Sequence, residues 1–142
     1  NTLRYIVSLT REKRKFVIGF IADQVPTWES IGHWLDFMHQ ETPVFTGTEK
    51  IAQRTASAVF YMSMEQTARG QYTATFHKMC DDASLTSEHE LTEQYFRMLE
   101  DNIRQHPHLW LWTHKRWKRT RQGMAEREER RKRERAEKMK NN

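Results

Sequence analysis

The sequence predicts an α/β protein in which a partial mixed sheet is flanked by helices and followed by a C-terminal basic helix. Two observations lead to this class. Short apolar stretches rich in β-branched and aromatic residues alternate with segments of helical periodicity. The apolar residues then become rare, and the last part of the chain is mostly charged. We therefore expect the C-terminal part of a folded domain over residues 1–121 and a basic, helical or disordered tail over residues 122–142.

Two short segments are predicted to be helical. Near the start of the chain, apolar residues recur at helical spacing, namely Leu3, Ile6 and Val7. Further along, Thr46 and Glu49 have the spacing of a capping box, in which the threonine oxygen accepts a backbone N–H and the glutamate reaches back. This pattern predicts a second helix over residues 49–55.

A longer helix is predicted in the second half of the chain. Ser87 and Glu90 form another capping box, and Pro107 ends the helix because proline disfavours a helical residue before it. One apolar stripe runs between these signals, formed by Leu91, Tyr95, Met98, Leu99 and Ile103. The stripe predicts that one face of this helix packs on the core.

Three segments are predicted to be strands. Residues 16–22 are a continuous apolar run, which is typical of a strand buried on both faces. Residues 58–64 and 71–77 have the composition of an antiparallel hairpin with one face exposed to solvent. Residues 23–46, which follow the first of these segments, are predicted to form a long irregular loop. Such loops are usually functional. The order of elements predicts a sheet whose first strands precede this sequence.

Composition excludes several classes of protein. The longest apolar run has seven residues, whereas a membrane-spanning helix needs about 20. The chain is 37% hydrophobic and 30% charged, which is too apolar for a disordered protein and too charged for an integral membrane protein. Cys80 is the single cysteine, so an internal disulfide is impossible. The histidines lack metal-ligand spacing, and we expect neither a metal nor a cofactor.

Charge is unevenly distributed along the chain. Residues 1–114 carry 11 basic and 14 acidic side chains, whereas residues 115–142 carry 13 basic and 5 acidic ones. An argument for an anionic partner therefore concerns the C-terminal segment alone. That segment is interpreted either as a solvated helix or as a polybasic contact with anionic lipid headgroups.

Four segments in this order resemble one family: Phe20-Ile21-Ala22-Asp23-Gln24, then TPVFTGTEKIA over residues 42–52, RGQY over 69–72, and LWLWTHKRWK over 109–118. Together they resemble the C-terminal half of the lipid A biosynthesis (lauroyl/myristoyl) acyltransferases, a branch of the lysophospholipid acyltransferase superfamily. The resemblance spans residues 1–121. It implies a mixed sheet wrapped by helices on the cytoplasmic face of the inner membrane of Gram-negative bacteria.

The resemblance also implies an activity. Members transfer a fatty acyl group from a thioester donor, acyl carrier protein or acyl-CoA, to a hydroxyl of a lipid A precursor or related lysolipid. The family's catalytic element is a His-x4-Asp/Glu motif upstream of the strand that ends in Asp-Gln. The sequence has one formal match, His77 and Asp82, and it lies downstream of that strand. We therefore expect no catalytic residue in this chain, a catalytic pair before Asn1, and no activity of the chain alone.

Substrate-binding residues are expected at two places. Asp23 and Gln24 follow the predicted buried strand, where α/β folds place ligands, and the resemblance implies a role in holding the acceptor. The alternative is that Asp23 caps the loop backbone. Thr46 and Gly47 precede a predicted helix, whose N-terminal amides favour an anion such as phosphate. The alternative there is a plain helix cap.

Membrane or headgroup contact is expected for aromatic and basic side chains, namely Trp28, Trp34, Arg116 and Lys118. Tryptophan favours the membrane–water interface, although the same aromatics could equally cover the core. A different class of function, a non-enzymatic module that binds nucleic acid or an anionic surface through the basic tail, is the alternative. The acidic balance of residues 1–114 argues against a nucleic-acid partner.

Overall fold

Eight helices and strands follow one another in residues 2–140, the part of the chain that the computed structural model describes. They are α1 (Thr2–Arg11), β1 (His33–Phe37), β2 (Gln40–Val44), α2 (Gly47–Arg54), β3 (Val59–Ala68), β4 (Gln71–Cys80), α3 (Glu90–Gln105) and α4 (Arg121–Lys140). The strands form two separate antiparallel pairs, β1–β2 and β3–β4. The α/β class and the C-terminal helix are confirmed.

The first hairpin lies inside the segment that was expected to be a loop. His33 pairs with Val44 and Phe37 with Gln40, and the two turn residues between the strands both have positive φ angles, 54° and 59°. This is the backbone of a tight two-residue hairpin turn, which favours Asn and Gly. Here Met38 and His39 occupy the turn, so the usual sequence signal is missing and the prediction of a structureless loop was wrong.

Residues 16–22 do not form the predicted buried strand. The structure assigns no strand to them, and Val17 is 99% exposed while Ile21 is 78% exposed. An apolar sequence favours a strand, but a strand forms only where a neighbouring strand accepts its hydrogen bonds. Within residues 2–140 all four strands pair elsewhere, and this segment is left as irregular backbone.

The second hairpin is confirmed and is longer than expected. Tyr61 lies opposite His77, and Gly70 takes a φ of 74° in the turn, a left-handed conformation that glycine adopts without steric cost. One face of the hairpin is apolar and exposed to solvent. Each of five residues on it is at least two-fifths exposed, namely Phe60, Met62, Met64, Tyr72 and Phe76.

The helices follow the sequence signals in part. Glu90 accepts a hydrogen bond from the backbone N–H of Ser87 at 2.8 Å, as its capping box predicts, and α3 ends before Pro107. The box predicted at Thr46 was wrong, since the Thr46 side chain makes no capping bond. Glu49 instead accepts hydrogen bonds from the backbone N–H and hydroxyl of Thr92, in the first turn of α3.

The main core lies between the first hairpin and α3. Its buried members are Phe37, Val44, Phe96 and Ile103, and the indoles of Trp110 and Trp117 pack against them. The Trp117 indole N–H also donates to the Thr42 hydroxyl at 2.8 Å. The tryptophan-rich segment, residues 109–118, therefore closes the core from the C-terminal side.

The last helix touches the body only at its start. Arg127 forms an ion pair with Glu29, and every side chain from residue 128 to residue 139 is exposed. None of the helices in residues 2–140 combines the length and the apolar character needed to cross a membrane.

Candidate functional site

Four side chains are linked by the charge of Asp23, and we call them the Asp23 cluster: Asp23, Tyr61, Tyr95 and Arg116. Asp23 is half-buried at the end of the irregular segment. Its charge acts on all three other members. Tyr61 comes from β3, Tyr95 from α3 and Arg116 from the tryptophan-rich segment, so the charge of Asp23 acts on three distant parts of the sequence.

The two tyrosines of the cluster are held in a dry environment. Their rings lie edge to face with centroids 5.6 Å apart, and the Tyr61 hydroxyl donates to the Asn102 side-chain oxygen at 3.3 Å. Burial raises the pKa of Tyr61 to about 12, and the negative charge of Asp23 acts in the same direction. Burial and then Asp23 also raise the pKa of Tyr95 well above its usual range. Both phenols therefore remain proton donors at neutral pH.

Arg116 is the most deeply buried charge of the cluster. Its side chain is 1% exposed, its Nη2 donates to the Pro43 carbonyl at 3.0 Å, and its guanidinium lies 5.6 Å from the centroid of the Phe96 ring. Burial lowers its pKa to about 10, and the charge of Asp23 opposes that change. At neutral pH the guanidinium stays protonated and supplies a positive charge inside the fold.

The second predicted site lies at the start of α2. Thr46 is buried and Gly47 is exposed, and a polar cavity of about 360 Å³ opens beside Thr46. The cavity is also lined by Glu49, Lys50, Gln53 and His89. Backbone amides at a helix start, a lysine and an imidazole suit an anionic group, whereas the carboxylates of Glu49 and of Glu88, which also lines the cavity, oppose one.

The structure does not bring the two predicted sites together. Among the residues it describes, no hydrogen bond or ion pair joins the Asp23 cluster to the cavity at Thr46. Gln24, expected to act with Asp23, is exposed. The assignment of these residues to substrate binding remains a prediction.

The residues predicted to contact a membrane occupy different environments. Trp28 and Trp34 are half-buried, and each is covered by a guanidinium, Arg119 at 5.6 Å and Arg121 at 5.0 Å from the ring centroid. Lys118 is exposed. Arg116 is inside the fold, and this part of the expectation requires correction because a guanidinium that is 1% exposed does not reach a headgroup.

The formal His-x4-Asp match has no catalytic geometry. The His77 ring Nε2 lies 2.8 Å from the Ser63 hydroxyl, on the face of the second hairpin that also carries Tyr61. Asp82 accepts hydrogen bonds from the backbone N–H and hydroxyl of Ser84 and caps the short helical turn that follows. The carboxylate therefore does not orient the imidazole. Within residues 2–140, no group of three histidine, cysteine or acidic side chains is placed to hold a metal ion.

Sequence reasoning missed three members of these sites. Tyr95 was assigned to the apolar stripe of α3 and Tyr61 to a strand. Their contact was missed because neither local pattern indicates a neighbour 34 residues away in the sequence. Glu49 was assigned to a helix cap, but its partner Thr92 lies on another helix. Only the tertiary fold joins these pairs.

The fold and the buried cluster define the class of protein: an α/β domain with a polar centre formed by an aspartate, an arginine and two tyrosines. Comparison with protein families then matches residues 1–119 to the bacterial lipid A biosynthesis acyltransferases. The chain belongs to this family. Neither a curated protein nor a solved structure matches it.

Proposed function

We propose that this chain is part of a membrane-associated enzyme that transfers a fatty acyl group to a hydroxyl of a lipid A precursor or related lysolipid. The donor is a thioester, either acyl carrier protein or acyl-CoA. The observation that carries the proposal is the family match over residues 1–119. In this reaction the acyl carbon–sulfur bond breaks, an ester carbon–oxygen bond forms, and the thiol leaves with a proton.

Asp23 and Gln24 hold the acceptor in this proposal. The carboxylate of Asp23 is half-buried beside two protonated tyrosines and a buried guanidinium. A carboxylate in such surroundings can accept a hydrogen bond from the acceptor hydroxyl, and orientation of the acceptor is a large part of catalysis in group transfer. Thr46 and Gly47, beside the polar cavity, bind an anionic group of the substrate.

The catalytic His-x4-Asp/Glu pair lies outside residues 1–142 in this proposal. Its imidazole takes the proton of the acceptor hydroxyl as the oxygen attacks the thioester carbonyl. The support comes from His77 and Asp82, which bond to separate partners and share no hydrogen bond.

The enzyme works at the cytoplasmic face of the inner membrane, and this chain contributes a peripheral surface to the contact. Trp28 and Trp34 lie near the start of the basic helix α4 through the guanidinium–indole contacts, and the exposed Lys118 precedes that helix by three residues. Aromatic and basic side chains on one surface suit the interface between water and anionic headgroups.

The test is acyl transfer by the complete protein, measured by mass spectrometry of a lipid A precursor incubated with acyl carrier protein or acyl-CoA thioesters. We expect an ester product from the complete protein and none from the 142-residue chain. The control variant His77→Ala should retain more than half of the activity. Product formation by the isolated chain that is lost in His77→Ala would refute the assignment of the catalytic pair.

A further inference from the structure

Arg116 has two buried nitrogens without partners. Among the residues that the structure describes, its Nε and Nη1 form no hydrogen bond, and Nη2 alone is satisfied, by the Pro43 carbonyl. A buried guanidinium with unsatisfied donors is costly, because the lost hydration is not replaced. Native proteins keep few such groups, and each one points to a missing partner.

The carboxylate that acts on Arg116 belongs to Asp23. Asp23 is the acidic side chain whose charge opposes the effect of burial on the guanidinium. The two groups nevertheless do not bond, since Nε and Nη1 remain free. The polar cavity at Thr46 is lined by other residues, so it provides no ligand site for Arg116.

The segment that carries Asp23 is weakly attached to the rest of the fold. Within the described chain, no backbone hydrogen bond involves residues 15–26, and their side chains form none either, since the first side-chain bond after Thr10 belongs to Thr27. Val17, Phe20 and Ile21 are exposed, whereas Pro26 at the end of the segment is fully buried. A movement of residues 15–25 that leaves Pro26 in place therefore breaks no hydrogen bond among the described residues, as in other segments of low local stability.

We propose that Arg116 is the positioning residue of Asp23: in the complete protein its free Nε–H and Nη1–H groups donate to the Asp23 carboxylate and fix its direction towards the acceptor hydroxyl. The segment over residues 15–25 moves to make this contact, and the buried Pro26 stays in place. A charge-assisted hydrogen bond of this kind satisfies both buried groups at once. The catalytic consequence rests on the proposed function, whereas the pairing itself does not.

The experiment is a double-mutant cycle in the complete protein with Asp23→Asn, Arg116→Gln and the double variant. Acyl transfer and urea unfolding are both measured for each protein. We expect each single change to lower kcat about 100-fold, the scale of a lost charged contact in a transition state, with KM within about threefold of its original value. The double variant should be no more than about threefold slower than the slower single variant, because the two residues act as one unit.

Two further variants separate a positioning role from a structural one. Arg116→Lys keeps the charge and should restore kcat to within about tenfold of the unchanged protein. If Arg116→Gln does not fold, Asp23→Asn is introduced both into the Arg116→Lys variant and into the unchanged protein. The fall in kcat caused by Asp23→Asn should be smaller in the Arg116→Lys variant. The control cycle uses Asp36→Asn and Arg54→Gln, two exposed residues outside the cluster, and its effects should multiply.

Three results would overturn the pairing: effects of Asp23→Asn and Arg116→Gln that multiply, an unfolding cycle with no coupling, or an Arg116→Gln variant with a tenfold higher KM for the acceptor and unchanged kcat. The last result would assign Arg116 to a phosphate of the lipid. Absence of any acyl transfer in the complete protein would refute the proposed function instead, and the unfolding cycle would still test the pair.

Discussion

Two buried charges differ in how the fold satisfies them. Glu49 is 4% exposed and accepts hydrogen bonds from the backbone and hydroxyl of Thr92, so its carboxylate completes the start of α3. Arg116 is 1% exposed and keeps two donors free. A satisfied buried charge is typical of a structural role, whereas an unsatisfied one indicates a site that binds or moves. This contrast supports our proposal that Arg116 acts with Asp23.

Tyr61→Phe tests whether the Tyr61 phenol is buried, because burial makes the free energy of unfolding depend on pH in the alkaline range. The pKa of the Tyr61 phenol is raised to about 12 in the folded chain, whereas an unfolded tyrosine titrates near about 10. Because the folded state holds this proton more tightly, the phenol's contribution to stability is complete below about pH 10 and is lost as the pH rises through about 12. Tyr61→Phe should therefore show a shallower fall in the free energy of unfolding between about pH 9 and 12.

The measurement is urea unfolding followed by circular dichroism at several alkaline pH values. The matched control is Tyr72→Phe, which removes a phenol from an exposed side chain and should keep the original slope. Equal slopes for Tyr61→Phe and the unchanged chain would contradict the burial of this phenol.

At the scale of elements, α4 divides into a docked start and a free remainder. Residues 119–127, which include the two residues before α4, make four contacts with the rest of the fold: Arg119 with Trp28, Arg121 with Trp34 and with Glu41, and Arg127 with Glu29. Beyond Arg127 the helix has no core to join, and i, i+4 ion pairs such as Glu129 with Arg133 support it. Each such pair contributes a few tenths of a kcal/mol.

Two truncations test this division. Deleting residues 128–142 should change the melting temperature by less than about 2 °C, since the side chains over residues 128–139 are exposed. Deleting residues 119–142 should lower it by several degrees, because the lost cation–π and ion-pair contacts sum to roughly 1–3 kcal/mol. Differential scanning calorimetry on both proteins measures the difference. Equal melting temperatures for the two truncations would show that the docked start contributes nothing.

The elements that the sequence predicts well are those with local signals. The long helix has a cap, an apolar stripe and a proline, all within 21 residues of chain from Ser87 to Pro107, and the structure confirms it. The run over residues 16–22 has equally strong composition, but a strand depends on a partner that lies elsewhere in the chain. The first hairpin was missed because Pro43 and a turn without glycine both argue against a strand pair.

The candidate site was predictable only at one residue. Asp23 was found because it ends an apolar run and because the segment resembles the family. Tyr61, Tyr95 and the burial of Arg116 depend on packing between β3, α3 and the tryptophan-rich segment. Sequence patterns report the periodicity of each element and not the contacts between elements.

For the whole molecule, the main electrostatic feature is the separation of an acidic body from a basic C-terminal segment. Residues 1–114 have 14 acidic and 11 basic side chains, and residues 115–142 have 5 and 13. Within the exposed part of α4, residues 128–139 include 6 basic and 4 acidic side chains. A negative surface would therefore attract one end of the molecule and repel the rest.

The 142-residue chain should bind vesicles of phosphatidylglycerol and phosphatidylethanolamine, and binding should weaken as salt increases. Deleting residues 128–142 should lower the affinity about tenfold or more, at about 1 kcal/mol for each basic residue near the surface. Phosphatidylcholine vesicles are the neutral control, and co-sedimentation measures the bound fraction. Binding of a single-stranded oligonucleotide as tight as that of the anionic vesicles would favour the nucleic-acid alternative.

The exposed apolar face of the second hairpin has a consequence for the colloidal behaviour of the isolated chain. The six residues from Val59 to Met64 are uncharged and favour β structure, and within residues 2–140 each strand of this two-stranded sheet has one edge that pairs with no other strand. An uncharged strand segment with an unpaired edge is a template for intermolecular β pairing. The net charge of +5 opposes self-association by repulsion, and salt screens that repulsion. Concentrated solutions of the chain will therefore become turbid as ionic strength rises, with fibrils nucleated at the second hairpin.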